Sequence, residues 1–141
     1  MPITIERVDD AFHFVGTNPE GNTVHMDITP EEGGAGEGYG PMQLVATALG
    51  GCSAIDIILI LRKGRQTIES FGMTVDTKRA ADQTPSVFTH LHVTYTLTGS
   101  IDPVKARRAV ELSLEKYCSV SKMLEQTAEI TFDVVVNGEA A

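Results

Sequence analysis

The stretch GPMQLVATALGGCSAIDIILILRKG, residues 40–64, decides the fold because it is the longest apolar segment of the chain. Pro41 suits the first position of a helix, where an N–H is not needed, and Gly64 suits its end. The segment is apolar on nearly every side, so we predict a helix over 41–63 that is buried on most of its sides. A helix of about 22 residues is roughly 33 Å long, more than one small sheet covers. A second subunit would cover the excess.

The same segment is long enough to be considered as a membrane span. The run from Leu44 to Leu61 reaches the ~18 residues that a span requires. It contains Thr47, Ser53 and Asp56, and a charge in the middle of a span is costly. We therefore predict a core helix. The N-terminus has no basic region followed by an apolar stretch and a cleavage site, so we expect a cytoplasmic protein.

Length and composition are those of a globular protein. The chain has 141 residues, 42% hydrophobic and 21% charged, and we predict a single domain over residues 1–141. A net charge of -8 argues against nucleic acid as a partner, because affinity for phosphates comes largely from Lys and Arg. No Lys or Arg occurs between Arg7 and Arg62. We expect neither nucleic acid nor a membrane as a partner.

Alternating apolar residues predict strands on both sides of the long helix. The predicted strands are residues 3–8, 12–14, 24–28, 67–79, 87–98 and 130–136. A second helix begins at Pro103 with Asp102 as its N-cap, and a short helix covers about 119–126. The predicted order is βββαββααβ, an α+β fold in which the first three strands form an antiparallel meander. The glycine-rich segment 30–40 is interpreted as a mobile connector or an active-site rim.

Two cysteines, Cys52 and Cys118, are the candidates for chemistry. In a reducing compartment, cysteines are more often catalytic, redox-sensing or plain core residues than a permanent disulfide. Cys52 and Asp56 are four apart and share a helix face. Burial raises the pKa of both groups, so a reactive Cys52 requires a nearby cation or a helix N-terminus. The alternative is a core cysteine beside a structural carboxylate.

Cys118 lies at the junction of two helical patterns. It precedes the segment 119–126, whose first N–H groups favour a thiolate, and Lys122 is one turn further on. A moderately acidic thiol is one expectation. A small apolar residue that fills a corner between helices is the other. Both remain open at this stage.

The histidines do not predict a metal site. His90 and His92 share one strand face, but no further ligand pattern completes a site around them. His13 and His25 lie on neighbouring predicted strands, where they could be side by side. We predict neither a metal nor a cofactor.

Two motifs together resemble a known family. They are Gly40-Pro41-Met42-Gln43-Leu44 leading to Leu49-Gly50-Gly51-Cys52-Ser53-Ala54-Ile55-Asp56, and Tyr117-Cys118-Ser119-Val120-Ser121-Lys122-Met123-Leu124. The chain is similar to the OsmC/Ohr family of osmotically inducible and organic hydroperoxide resistance proteins, closest to its YhfA-like branch. The similarity covers almost the whole chain.

The resemblance implies both a fold and an activity. The fold is an intertwined homodimer with curved antiparallel sheets around long central helices and active sites at the interface. The activity is peroxiredoxin-like reduction of organic hydroperoxides in oxidative-stress defence. In it Cys52 would be the peroxidatic residue, Cys118 would resolve its sulfenic acid, and an external dithiol, of the lipoyl type in some relatives, would reduce the disulfide.

The chain departs from the family pattern at two positions. The family's peroxidases place a glutamate about ten positions before the reactive cysteine, where this chain has Met42 and Gln43. They also use an arginine from the N-terminal sheet, for which only Arg7 is available. We predict Met42, Gln43, Asp56, Arg7 and Lys122 as binding residues around the two cysteines. A non-catalytic dimer that binds a small apolar or thiol-reactive molecule, and a merely structural dimer, are the alternatives.

Overall fold

The computed structural model describes all 141 residues and contains seven strands and three α-helices. The strands are β1 (Thr4–Arg7), β2 (Phe14–Thr17), β3 (Thr23–Met26), β4 (Thr67–Arg79), β5 (Phe88–Ser100), β6 (Glu129–Val136) and β7 (Glu139–Ala140). The helices are α1 (Pro41–Lys63), α2 (Pro103–Leu112) and α3 (Ser119–Leu124), with a 3-10 turn at Pro30–Glu32 and a π-helical turn at Ser113–Tyr117. The α+β class is confirmed, and the element order agrees with the predicted one except for β7 and the two short turns.

The chain forms two compact units, residues 1–45 and 46–141, and the single domain stays a prediction. In the first unit, β1, β2 and β3 form an antiparallel meander with β2 in the centre. Phe14 of β2 lies opposite Met26 of β3. The pairing follows the predicted order of the three strands.

The glycine-rich segment after β3 folds around the carboxylate of Asp27. This side chain is buried, and its oxygens accept hydrogen bonds from the backbone N–H groups of Ile28 at 2.8 Å, Ala35 at 3.3 Å and Glu37 at 3.1 Å. The bond from Glu37 is the main reason why the pKa of Asp27 lies below its ordinary value. The segment is therefore an ordered loop rather than a mobile connector.

The second unit is built on a four-stranded sheet in the order β4-β5-β6-β7. β5 pairs antiparallel with β4 and parallel with β6, and α2 and α3 lie in the connection between β5 and β6. One face of β5 forms the core, because its alternate side chains are fully buried. These are Leu91, Val93, Tyr95 and Leu97, the face predicted from the alternation.

Helix α1 has the predicted bounds but is buried on one side only. Its buried residues are Ala46, Leu49, Gly50, Ser53, Ala54, Ile57 and Leu61. On the opposite side Ile55 is 62% exposed and Leu59 51%. The prediction of burial on most sides is wrong for a single chain. By length and mean hydropathy of 2.2, α1 could also cross a membrane, although the core helix of a soluble protein passes the same test.

The adjacent glycines of α1 face different surroundings. A Cβ atom at Gly50 would lie 3.1 Å from Sδ of Met73 on β4, so the missing side chain lets the helix approach the sheet closely. A Cβ atom at Gly51 would meet nothing within 4 Å. Within one chain, only Gly50 is explained by packing.

The C-terminal end of α1 is closed by a Schellman motif. The N–H of Arg65 donates to the carbonyl of Arg62 at 3.0 Å, and the N–H of Gln66 donates to that of Leu61 at 2.9 Å. The left-handed residue of this motif is Arg65, with φ of 61°, and not Gly64. A side chain with a Cβ therefore occupies a conformation that glycine adopts more readily.

Arg65→Gly should stabilise the protein. Relief of the left-handed strain should raise the free energy of unfolding by about 1 kcal/mol. Urea denaturation followed by circular dichroism measures the change. The matched control is Lys63→Gly, which places the same glycine inside the helix and should lower stability by about 1 kcal/mol. A drop in stability for Arg65→Gly would contradict the assignment.

Candidate active site

The two cysteines come together in the second unit. Cys52 lies half-buried in the middle of α1, and Cys118 is fully buried at the N-cap of α3. Both cysteines are free thiols, and the Cys52 side chain lies near enough to that of Cys118 to influence its pKa. The backbone N–H of Ser121 donates to Sγ of Cys118 at 3.3 Å. The chain thus brings two thiols near each other from helices that are far apart in sequence.

The environment of Cys118 favours the neutral thiol. Burial, with smaller contributions from the hydrogen bond and the charge of Cys52, raises the pKa of Cys118 to about 11. The N–H groups of Ser121 and Val120 act in the opposite direction but are outweighed. The expectation of a moderately acidic Cys118 is therefore wrong, because burial outweighs the amide groups at the start of a short helix.

A buried hydroxyl pair lies next to the thiols. Oγ of Ser53 donates to the carbonyl of Gly50 at 3.0 Å and lies 2.7 Å from the hydroxyl of Tyr95 on β5. Since Ser53 has one proton and gives it to Gly50, the Tyr95 hydroxyl donates to Ser53. Burial raises the pKa of Tyr95 to about 12, and the charge of Cys118 adds to the shift. Tyr95 is therefore a neutral hydrogen-bond donor at physiological pH.

Ser113 links the helical segment between β5 and β6 to α1. Its hydroxyl donates to the backbone carbonyl of Ser53 at 2.9 Å and lies 3.4 Å from Oδ2 of Asp56. Ser113 also begins the π-helical turn, in which the N–H of Cys118 donates to the Ser113 carbonyl at 2.7 Å. This hydrogen bond holds Cys118 at the end of the π-helical turn. Asp56 is half-buried and meets Ser113 one turn after Cys52.

The other predicted binding residues have partners of their own. Nζ of Lys122 lies 3.1 Å from Oε1 of Glu125. In the first unit, Nε of Arg7 donates to the carbonyl of Ala11 at 2.9 Å, and Oε1 of Gln43 accepts from the N–H of Gly40 at 2.8 Å. Met42 lies in the first turn of α1. Their roles at the site stay predictions.

No lysine or arginine of residues 46–141 donates a hydrogen bond to either sulfur.

Three residues near the thiols were not indicated by the sequence. They carry hydroxyl groups and are Ser53, Tyr95 and Ser113. A signal existed for two of them, because Ser53 is a polar residue inside an apolar helix and Tyr95 lies on the buried face of a strand. A buried hydroxyl requires a partner.

The fold is that of a small α+β protein with two free cysteines, one of them on its long helix. A family model described as OsmC-like protein matches residues 34–133. Protein YhfA of Escherichia coli (strain K12) is 39% identical over 120 residues, which cover 84% of this chain and 85% of that protein. The chain belongs to the OsmC-like family, which includes peroxide-related proteins.

Solved structures agree with this assignment. A hypothetical protein from Aquifex aeolicus VF5 is 26% identical, with a TM-score of 0.79 and 96% of each chain covered. An organic hydroperoxide resistance protein OsmC from Legionella pneumophila has a TM-score of 0.68, covering 96% of this chain and 97% of that one. At 18% identity, the second likeness shows the fold alone.

The two thiols should differ in reactivity towards an alkylating reagent. Thiolates react much faster than thiols, and Cys118 is buried. At about pH 8, iodoacetamide should therefore label Cys52 first and Cys118 at least about tenfold more slowly. A pKa of about 11 keeps Cys118 protonated there, and its labelling should accelerate as the pH rises towards that value. Peptide mass spectrometry measures both rates, with Cys52→Ser reporting Cys118 alone. Equal rates in the native protein would contradict the difference in burial.

Proposed function

We propose that this protein reduces organic hydroperoxides with a thiol mechanism, in oxidative-stress defence in the cytoplasm. The proximity of the side chains of Cys52 and Cys118 is the observation that supports it. Two cysteines on separate helices can form a disulfide when their Cα atoms lie within about 7 Å. Family membership supports a peroxide as the oxidant, because the family includes peroxide-related proteins.

The difference in burial supports separate roles for the two cysteines. Cys52 is partly accessible, whereas Cys118 is fully buried and its raised pKa keeps it a thiol. A peroxide from solvent therefore reaches Cys52 first. Cys118 is in position to act second, on the oxidised form of Cys52.

The reaction proceeds in two steps. The Cys52 thiolate attacks the distal peroxide oxygen, the O–O bond breaks, and the alkoxide takes a proton and leaves as the alcohol. Cys52 is then a sulfenic acid. The sulfur of Cys118 attacks the sulfenic sulfur, an S–S bond forms, and the hydroxide that leaves takes the Cys118 proton and departs as water. The peroxide is reduced by two electrons and the two thiols are oxidised to a disulfide.

An external dithiol completes the cycle. Its first thiolate attacks the disulfide and its second resolves the mixed disulfide, which restores both cysteines. A dithiol of the lipoyl type has the two thiols on one small carrier. Such a reductant and the organic hydroperoxide are the proposed partners.

A homodimer is part of the proposal. α1 leaves an apolar strip exposed on the side away from its own sheet, formed by Ala48, Gly51, Ile55 and Leu59. In the first unit, side chains of the small meander are about half exposed, including Ile5 at 58% and Val24 at 48%. Exposed apolar surfaces of this kind mark interaction sites, and a second copy would cover them.

A second function is favoured by the missing cation. No Lys or Arg of residues 46–141 donates a hydrogen bond to either sulfur, and the family's glutamate position holds Met42 or Gln43. A non-catalytic dimer that binds a small apolar or thiol-reactive molecule near Cys52 and Asp56 would need neither group. The two functions differ in whether a hydroperoxide consumes the thiols.

One equivalent of cumene hydroperoxide should remove two thiols per chain from the reduced protein. The reason is that the sulfenic acid of Cys52 condenses with Cys118. Thiol titration with a chromogenic disulfide measures the loss, and mass spectrometry identifies the Cys52–Cys118 peptide. Cys118→Ser should lose one thiol and give a dimedone adduct at Cys52.

Cys52→Ser is the matched control and should keep its remaining thiol under the same conditions. Retention of both thiols in wild type under excess hydroperoxide would exclude the peroxidase and leave the binding function. Cys52→Ala protein keeps only Cys118. If it formed a disulfide between two chains as fast as wild type forms its disulfide, the assigned roles would be excluded.

Ile55→Glu should convert the proposed dimer to a monomer. A carboxylate in the middle of the apolar strip on α1 would have to be desolvated in the interface, which costs several kcal/mol. Size-exclusion chromatography with light scattering should give twice the 15.2 kDa chain mass for wild type and the chain mass for the variant. Val104→Glu is the control, because Val104 is 77% exposed on α2 and should leave the dimer intact. Wild-type protein that elutes as a monomer would refute the assembly.

A further inference from the structure

A cluster of possible metal ligands lies in the first unit, among residues that the proposed thiol chemistry does not use. One ligand atom each from Asp9, His13 and Asp27 lies within 4.8 Å of the others. Four ligands around a tetrahedral zinc ion, each about 2.0–2.2 Å from it, lie about 3.4 Å apart. Small side-chain rotations would therefore bring these three atoms onto one ion.

Strand register explains how the cluster forms. Phe14 lies opposite Met26 in the antiparallel pair of β2 and β3. Continuing this register by one residue places His13 opposite Asp27, on the same face of the meander. Asp9 reaches the same place from the connection between β1 and β2, where its Oδ1 accepts the N–H of His13 at 3.1 Å and that of Ala11 at 2.9 Å.

The two carboxylates are held in place and still have lone pairs to offer. Three backbone N–H groups bind Asp27, and each carboxylate oxygen has two acceptor sites, so one of its four sites is free. Both hydrogen bonds to Asp9 go to Oδ1, which leaves Oδ2 free. Backbone N–H groups thus hold both carboxylates in place before any ion binds.

The local charge balance favours a cation. Residues 1–45 hold a single basic side chain of the Lys or Arg type, Arg7, against eight acidic ones. Arg7 donates Nε to the carbonyl of Ala11 rather than to an acid. The charge of the buried Asp27 is offset within the unit by backbone N–H groups and by His13. A divalent ion would supply the missing positive charge.

A second histidine supports the ring of the first. Nε2 of His13 lies 2.8 Å from Nδ1 of His25, with the ring centroids 5.0 Å apart. Metal-bound histidines use their second ring nitrogen for such a hydrogen bond, which fixes the ring and its tautomer. His25 is thus an outer partner of the cluster.

We propose that Asp9, His13 and Asp27 form a binding site for a divalent transition-metal ion of the Zn²⁺ type, with His25 orienting His13. Imidazole and carboxylate together suit Zn²⁺, Co²⁺ and Mn²⁺, whereas Mg²⁺ prefers oxygen ligands alone. Solvent completes the coordination. The site lies within the first unit and is independent of the thiols.

Titration of the full-length reduced protein with Co²⁺ tests the site. One equivalent per chain should bind and give ligand-field absorption without thiolate charge-transfer bands, and Zn²⁺ should displace it. His13→Gln and Asp9→Asn should each weaken binding at least about tenfold. His13→Gln leaves the Asp27 loop contacts in place, so its circular dichroism spectrum and urea midpoint should match those of wild type.

Two controls separate this site from others that bind Co²⁺. Cys52→Ser removes the dithiol and should bind as wild type does. His92→Gln removes the exposed pair in which Nε2 of His92 lies 3.0 Å from Oδ2 of Asp133, and should also bind as wild type does. Absence of saturable binding at one equivalent, unchanged binding in His13→Gln, or loss of binding in either control would overturn the proposal.

Discussion

The burial of one face of α1 against its sheet is the constraint on which the candidate site depends. Gly50 lets the helix come close to Met73 and Val75 of β4, and Ser53 meets the hydroxyl of Tyr95 on β5. With this face fixed, Cys52, which directly precedes Ser53, is directed neither fully inward nor fully outward. It is therefore partly accessible from solvent and still near Cys118.

The same burial creates a conflict between placement and reactivity. Removal of Cys118 from water disfavours its thiolate. Burial therefore raises the pKa of the residue that completes the pair. The neighbouring hydroxyls of Tyr95 and Ser53 donate hydrogen bonds but bring no charge. The electrostatics of Cys118 are thus set mainly by desolvation.

Local patterns predicted the elements well, and long-range pairing much less. The Pro41 start and the apolar run gave α1 its observed bounds, and the alternation in β5 identified the buried face that includes Tyr95. β7 was missed because a two-residue strand has no pattern of its own. Apolar periodicity and capping residues can be read locally, because they do not depend on contacts with the rest of the chain.

The sites depend on contacts that sequence spacing does not encode. Cys52 and Cys118 meet because β5 and β6 pair in parallel, which brings the connecting helices back over the sheet. The sequence left an acidic thiol and an apolar filler residue open for Cys118, because depth of burial is a property of the folded chain. Likewise, His13 meets Asp27 only in one register of β2 and β3, and a slip by one residue would separate them.

The π-helical turn at Ser113–Tyr117 has a consequence for the thiol pair. Such a turn holds one residue more than an α-helical turn, and each residue of an α-helix corresponds to about 100° of rotation. Deletion of one residue here would restore regular winding and rotate everything after it, swinging the buried sulfur away from its partner. Both cysteines would remain in the chain, but the length of this turn would no longer bring them near each other.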